Sequence, residues 1–374
     1  MPSADAIPFN DLSRSSPERL AEIEAAVARV LASGWFVLGP ENRALQSELE
    51  TYLGASDVVL LGNGTDALEL ALAAVGVGRG DFVLTVANAG AYASVAARLL
   101  GATPIYCDVS VETMLATADT VRLAIESAEV VPRAIVVTHL YGAMAPIVEI
   151  MAVAREYGIP VVEDCAQSIG ARVGGRQSGT FGDIATTSFY PTKNLGALGD
   201  GGAVFTNNHE LAESVRSMRQ YGWDSKYHIS HDHGRNSRMD ELQAAILRAK
   251  LPHLNAWNER RRQIHSQFER ASGGRVRVLN AASESFTAHL GVVVVEERAE
   301  FRNAMTVAGV ATDVHYPIPD HRQDFPSDPP AAASLPVTER AAETVVSIPL
   351  FPELTDSEVE RISAALMEFA GTHD

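Results

Sequence analysis

Ser188-Phe189-Tyr190-Pro191-Thr192-Lys193-Asn194-Leu195-Gly196-Ala197-Leu198-Gly199-Asp200-Gly201-Gly202 is the stretch around which the chain is organised. Ile184 to Tyr190 has an apolar strand pattern, and a glycine-rich turn separates it from a second strand, Ala203 to Thr206. The lysine between them is one of only three, the others being Lys226 in a polar turn and Lys250 at the end of a helical run. A lysine at a strand end among small residues leaves room for a bulky group to approach its amine. Burial there disfavours the ammonium and favours the neutral, nucleophilic amine that imine formation requires.

Working outward, strands and helices alternate on both sides of this stretch. Val58 to Leu61, Asp81 to Val86, Pro104 to Cys107, Ala134 to Thr138 and Ile159 to Glu163 read as strands. Helical patterns separate them at Ala67 to Val75, Ala91 to Leu100, Ala116 to Ser127 and Pro146 to Tyr157. Alternation of this kind predicts an α/β fold with a mostly parallel sheet covered on both faces. Pro17 to Leu31 and Asn42 to Leu53 read as amphipathic helices before it, flanking the apolar segment Trp35-Phe36-Val37-Leu38. Helices are also expected over Glu210 to Arg219 and Met239 to Leu251. The remainder has a different grain. A long polar helix, His253 to Glu269, leads into strands at Leu290 to Val295, Val310 to Tyr316 and Val345 to Pro349. Helices at Ala299 to Val307 and Asp356 to Phe369 and a proline-rich loop, Pro317 to Pro330, complete it. We therefore expect a large domain over residues 1–252 and a smaller α+β domain over residues 253–374.

In parallel sheets a ligand sits at the carboxyl ends of the strands. The candidates for chemistry fall there: Gly64 and Thr65 after one strand, Tyr92 after the next, Asp164 and Gln167 after another, and Ser188 and Lys193 after the last. A turn of small residues opening a buried helix presents free N–H groups and a positive dipole end to a phosphate. With an imine-forming lysine and a carboxylate at a neighbouring strand end, this describes a pyridoxal phosphate site. Asp164 would keep the pyridine nitrogen protonated, and Gln167 would reach the ring's phenolic oxygen. Tyr92 would stack on the ring, and Gly64, Thr65 and Ser188 would hold the phosphate. Taken singly, Asp164 reads as well as a strand-end cap, Tyr92 as a core aromatic and Ser188 as a strand hydroxyl. Their joint placement favours one site.

Composition narrows the remaining classes. The net charge is −17, which argues against nucleic-acid binding. No apolar run approaches the roughly 20 residues of a membrane helix, and Met1 to Pro8 lacks signal-peptide character. Cys107 and Cys165 form no metal or disulfide pattern. His228, His231 and His233 could suggest zinc, but no cysteine is near, and a solvated loop is the expectation. No dinucleotide fingerprint is present, because Gly76-Val77-Gly78-Arg79-Gly80 follows a helix. A cytoplasmic protein is expected, with no metal.

The chain resembles the DegT/StrS family of sugar aminotransferases over essentially its whole length. The resemblance rests on Gly62-Asn63-Gly64-Thr65-Asp66-Ala67-Leu68, Glu163-Asp164-Cys165-Ala166-Gln167, Ser188 to Lys193, Gly199-Asp200-Gly201-Gly202 and Gly234 to Glu241. It implies the type I fold of pyridoxal phosphate enzymes (aspartate aminotransferase-like) and a homodimer with shared active sites. Asn236 would then reach the cofactor phosphate of the neighbouring subunit. Thr138 to Gly142, Tyr190 to Gly202 and His315 to Gln323 bring the chain nearest to enzymes that aminate C3 of nucleotide-linked 3-keto-6-deoxyhexoses. Such enzymes take the amino group from L-glutamate, passing it through pyridoxamine phosphate, and serve amino-sugar biosynthesis. The resemblance further places Tyr221 and Lys226 near the sugar diphosphate (dTDP is the expected nucleotide), and His315 and Tyr316 near the sugar. Two segments depart from the family pattern, Gln167-Ser168-Ile169-Gly170-Ala171 and Asn88-Ala89-Gly90-Ala91-Tyr92. They leave open a 4-keto-sugar or cyclitol aminotransferase with the same machinery. A cofactor-bound regulatory protein without turnover is the reading from another class.

Overall fold

The computed structural model describes residues 6–325 and 334–371. Two helices, α1 (Pro17–Ser33) and α2 (Pro40–Leu53), precede the alternating region. That region runs β1 (Asp57–Leu61), α3 (Gly64–Ala74), β2 (Phe82–Val86), α4 (Tyr92–Leu99), β3 (Thr103–Cys107), α5 (Ala118–Ser127), β4 (Ala134–Thr138), α6 (Ile147–Tyr157) and β5 (Val161–Asp164). A small hairpin, β6 (Arg172–Val173) and β7 (Arg176–Gln177), leads to β8 (Ile184–Ser188), β9 (Gly202–Thr206) and α7 (His209–Met218). A second hairpin, β10 (Trp223–Ser225) and β11 (His228–Ile229), precedes α8 (Glu241–Lys250) and α9 (Leu254–Ala271). The chain closes with β12 (Arg277–Val278), β13 (Gly291–Val294), α10 (Arg298–Val307), α11 (Pro336–Thr344), β14 (Val345–Ile348) and α12 (Asp356–Gly371).

The central sheet has seven strands in the order β1-β9-β8-β5-β4-β2-β3. β9 pairs antiparallel with both β1 and β8, and every other pairing is parallel. All strands but β9 therefore point the same way, and their carboxyl ends share one edge. Apart from the edge strand β3, the strands are buried on both faces, so successive residues enter different cores. Val59 and Leu61 pack with Leu68, Leu72 and Val215 of α3 and α7. Val58 and Leu60 pack with Leu45, Leu49 and Leu247 of α2 and α8. Toward the other end of the sheet, Leu84, Ile135 and Val137 share a core with Ile150 of α6 and with Phe268, Phe301 and Phe369 of α9, α10 and α12.

α3 begins at Gly64, three residues before the apolar run that announces it. Asn63 is its N-cap, the side-chain oxygen accepting from the Asp66 N–H at 2.8 Å. In the C-terminal part, β13 is the middle of an antiparallel sheet, β12-β13-β14. The strand expected over Val310 to Tyr316 does not form. Only isolated bridges occur, Ile7 with Val310 and Asp313 with Ser347. The Asp313 carboxylate takes the Val314 N–H at 2.8 Å, withdrawing that donor from a ladder. Part of the proline-rich loop Pro317 to Pro330 lies outside the described residues. Among the described residues, no helix is long and apolar enough to cross a membrane.

Candidate active site

A cavity of about 830 Å³ opens at the carboxyl ends of the strands. Nine of the sequence-predicted residues line it: Gly64, Thr65, Tyr92, Asp164, Gln167, Ser188, Lys193, His315 and Tyr316. Their convergence follows from strand order. β8 and β5 are neighbours, so Lys193 and Ser188 stand beside Asp164.

Lys193 sits in the turn after β8, its backbone N–H donating to the Tyr190 carbonyl at 2.8 Å. Burial drives its ammonium down to about 8, the nearby Asp164 carboxylate opposing that shift. Asp164 is buried, and desolvation raises its carboxyl above the ordinary range. One of its oxygens accepts from the Ala166 N–H at 3.1 Å and the other from the Thr138 hydroxyl at a long 3.4 Å. Behind it, His139 and Glu163 form a closed polar unit. His139 Nδ1 accepts from the Ala145 N–H and Nε2 donates to Glu163. Glu163 also takes the Gly179, Phe181 and Gly182 N–H groups. Cys165 completes a cluster of metal-ligand type with these two. Both imidazole nitrogens are already committed to hydrogen bonds, so the unit anchors β4 and β5 and offers no histidine lone pair to an ion.

Gln167 is oriented by Tyr141. Its carbonyl oxygen accepts the Tyr141 N–H at 2.6 Å, which turns the amide nitrogen toward Tyr316, whose hydroxyl is 3.5 Å away. Tyr141 also donates its own hydroxyl to the His315 carbonyl at 2.7 Å, tying the β4 loop to the C-terminal part. Tyr92 opens α4 and meets Tyr316 edge-on. No residue of its own turn caps this helix. Asp320, buried, does so from the proline-rich segment, accepting from the Ala91 N–H at 2.8 Å and the Ser94 hydroxyl at 2.7 Å.

At the opposite wall, the N-terminus of α3 abuts Ser188. A Cβ on Gly64 would lie 2.6 Å from that of Ser188, and one on Gly202 would lie 2.3 Å from the Asn63 carbonyl oxygen. Asn63 satisfies only the Asp66 N–H, so the Gly64 and Thr65 N–H groups remain as donors at the cavity wall. A phosphate fits this corner, a protonated ring nitrogen fits Asp164, and an aldehyde fits Lys193. The donor set suits pyridoxal phosphate.

Three predicted residues lie elsewhere. Tyr221, Lys226 and Asn236 are exposed and do not line the cavity of their own chain. Asn236 accepts from Arg238 Nε at 2.6 Å, and its neighbour Ser237 accepts the Gly62 N–H at 3.0 Å. His228, His231 and His233 are exposed, on or beside the β10–β11 hairpin. The cavity also has walls that sequence reasoning passed over. Phe9 and Asn10 line it, brought there by the bridge from Ile7 to Val310, and Phe9 stacks on His315. His289 lines it too.

The DegT/DnrJ/EryC1/StrS aminotransferase family matches residues 17–367. The chain is 40% identical over 368 residues to the erythromycin biosynthesis sensory transduction protein EryC1 of Saccharopolyspora erythraea, covering 96% of this chain and 98% of that one. It is 38% identical over 371 residues to a dTDP-3-amino-3,4,6-trideoxy-alpha-D-glucose transaminase of Streptomyces venezuelae, covering 97% and 96%. Among solved structures, DesV of S. venezuelae superposes with a TM-score of 0.93 at 37% identity, covering 99% of this chain and all of that one.

Proposed function

The chain belongs to the DegT/DnrJ/EryC1/StrS aminotransferase family and is a pyridoxal phosphate-dependent sugar aminotransferase; on that premise we propose that it moves the amino group of L-glutamate to a nucleotide-linked 3-keto-6-deoxyhexose, with dTDP as the nucleotide. A solved neighbour from Bacillus subtilis holds the pyridoxamine form of this cofactor, and the site here would hold both its pyridoxal and its pyridoxamine forms. One observation carries the assignment of its site: Lys193, Asp164 and the free amides of α3 converge on one cavity from three strand ends.

Bound there, pyridoxal phosphate supplies an electron sink for the charge that develops at the amino-bearing carbon. The chain's own residues do the rest. Lys193 holds the cofactor and, once released, moves a proton at that carbon; an amine depressed to about 8 is neutral often enough near neutral pH to do so. Asp164 keeps the ring nitrogen protonated, and the Gln167 amide donates to the phenolic oxygen. The Gly64 and Thr65 amides and the Ser188 hydroxyl fix the phosphate, and Tyr92 covers a ring face. Phe9 and Tyr316 limit water at the cavity wall. His315 and Tyr316 are assigned to the sugar.

We assign Tyr221, Lys226 and Asn236 to the cavity of a second copy in a homodimer with shared sites. Their exposure outside their own cavity supports this, as do Trp35, Phe36 and Val37, which together expose apolar surface. In the test, protein loaded with cofactor is mixed with L-glutamate and then with 3-keto and 4-keto sugars linked to dTDP or UDP, and products are weighed by mass spectrometry. The proposal expects amination of the 3-keto dTDP sugar and none in Lys193→Ala. Faster amination of a 4-keto sugar, or no spectral response to any amino donor, would overturn it.

A further inference from the structure

Two segments 229 residues apart in the chain are joined at the cavity wall by one residue, Asp320. Its backbone N–H donates to the Ala87 carbonyl at 2.7 Å. One carboxylate oxygen accepts the Ala91 N–H at 2.8 Å, and the other accepts the Ser94 hydroxyl at 2.7 Å. Asp320 is buried, and three hydrogen bonds hold it to the turn that leads from β2 into α4. That turn needs holding. Ala91 stands at φ +63, in the left-handed region that disfavours a residue with a Cβ, and its side chain gives α4 no cap. It lies in Asn88 to Tyr92, one of the two segments that depart from the family pattern.

Two rings of the cavity wall are fixed by this docking. Tyr92 is the first residue of α4, and Tyr316 lies four residues before Asp320. Gly90 leaves the space that both rings use: a Cβ there would lie 2.8 Å from Tyr316 Cε1 and 3.0 Å from Tyr92 Cε2. The rings meet edge-on with centroids 6.3 Å apart. The spacer between Tyr316 and Asp320 is Pro317-Ile318-Pro319. Each proline has its φ locked by its own ring, so a displacement of Asp320 is passed to Tyr316 more than it is absorbed. On the other side of Tyr316, the Tyr141 hydroxyl holds the His315 carbonyl at 2.7 Å. The Tyr316 backbone is thus tied before and after the ring. Its hydroxyl is 3.5 Å from Gln167 Nε2, too long to fix the ring alone.

We propose that Asp320 is a positioning residue for sugar specificity: by clasping the segment after Tyr316 to the start of α4, it keeps the Tyr316 ring seated against Gly90 and Tyr92 and so fixes the space left for the keto sugar. This rests on Tyr316 facing the sugar. Asp320 does not itself line the cavity, so it acts through the ring and touches no reacting atom. Releasing the clasp frees the ring to turn. The site then holds the fitting sugar less well and rejects the others less strictly, because discrimination by shape needs walls that stay in place.

The test uses holoenzyme at saturating pyridoxal phosphate, so that weaker cofactor binding in Asp320→Ala does not enter. Asp320→Ala should raise KM for the 3-keto sugar at least about tenfold and narrow the kcat/KM preference for 3-keto over 4-keto sugars by a similar factor. KM for the amino donor should stay within about twofold of the parent. Calorimetry should show the amino-sugar product binding correspondingly more weakly. Equal losses toward donor and sugar, with the preference unchanged, would show a merely structural cap and overturn the proposal. Asp320→Asn keeps the test decisive if the alanine variant fails to fold. Its amide still accepts the Ala91 N–H and can donate to the Ser94 oxygen, so KM should lie within about threefold of the parent. A tenfold or greater loss in that variant would overturn the clasp. Tyr316→Ala closes the cycle. If Asp320 acts through Tyr316, adding Asp320→Ala to Tyr316→Ala should change KM by less than about twofold, and additive effects refute the route. Tyr316→Ala with the parental KM for every sugar would instead remove Tyr316 from the sugar, which separates failure of that reading from failure of the clasp.

Discussion

Replacing Gly64 by alanine tests whether the α3 N-terminus holds the cofactor phosphate. The new methyl would lie 2.6 Å from Ser188 Cβ, 3.1 Å from its Oγ and 3.2 Å from its Cα. Ordinary carbon–carbon contact is about 3.5–4.0 Å, so helix and strand must separate by about 1 Å. The contact involves the strand backbone, not a flexible side-chain tip, and cannot yield locally. Overpacking of this kind costs about 1–3 kcal/mol, so the cofactor-free protein should unfold at lower denaturant. The same movement draws the Gly64 and Thr65 amides out of hydrogen-bond range of a phosphate seated against Ser188. Losing one bond to a charged group costs about 1.5–3 kcal/mol, equivalent to a Kd for pyridoxal phosphate weakened about 10- to 100-fold. The assay is cofactor titration by absorbance on protein shown to be folded, beside Gly78→Ala, where a Cβ meets nothing within 4 Å. A destabilised Gly64→Ala protein that binds cofactor as tightly as the parent would place the phosphate elsewhere.

Other perturbations follow from the same geometry. Burial lowers the Lys193 pKa from 10.5 to about 8, so between those values the unfolded chain holds more protons and stability rises with pH. Below pH 8 the folded, cofactor-free protein bears the full desolvation cost, at most about 3 kcal/mol. Lys193→Met should therefore unfold at higher denaturant at pH 7, an advantage trimmed by the stranded Asp164 and shrinking as pH rises toward 10.5; a variant less stable than the parent at pH 7 contradicts this. Asp320→Ala removes the cap on α4 and should cost about 1–2 kcal/mol while weakening cofactor binding through Tyr92. Unchanged affinity would separate Tyr92 from the ring. Glu241, buried, accepts from the Gly39, Glu41 and Asn42 N–H groups and the Asn42 side chain. Glu241→Ala should lose about 3 kcal/mol or more in chemical denaturation, and a loss below about 1 kcal/mol would mean water replaces the carboxylate.

What the sequence made legible was whatever strand order alone determines. Lys193, Ser188, Asp164, Gln167, Gly64 and Tyr92 follow strands, and parallel strands share an edge, so local patterns sufficed to bring them together. Residues delivered by tertiary contacts left no such trace. Phe9 reaches the cavity because Ile7 pairs with Val310, and nothing in a polar opening segment announces that. Asp320 caps a helix more than 220 residues upstream, and His289 stands in an apolar run that reads as the approach to a strand. The expected strand at Val310 to Tyr316 keeps only isolated bridges, and the Asp313 side chain takes the Val314 N–H that a ladder would use. Tyr221, Lys226 and Asn236 came from family resemblance, and one chain by itself places them outside its cavity.

The central claim is that Lys193 carries the cofactor, and its most direct test uses the scarcity of lysine. Protein loaded with pyridoxal phosphate is reduced with borohydride, which converts a lysine–cofactor imine to a stable amine, and peptides are mapped by mass spectrometry. With only Lys193, Lys226 and Lys250 available, the account predicts one mark, on the peptide containing Lys193. A mark confined to Lys226 or Lys250, or no mark at all, would contradict it.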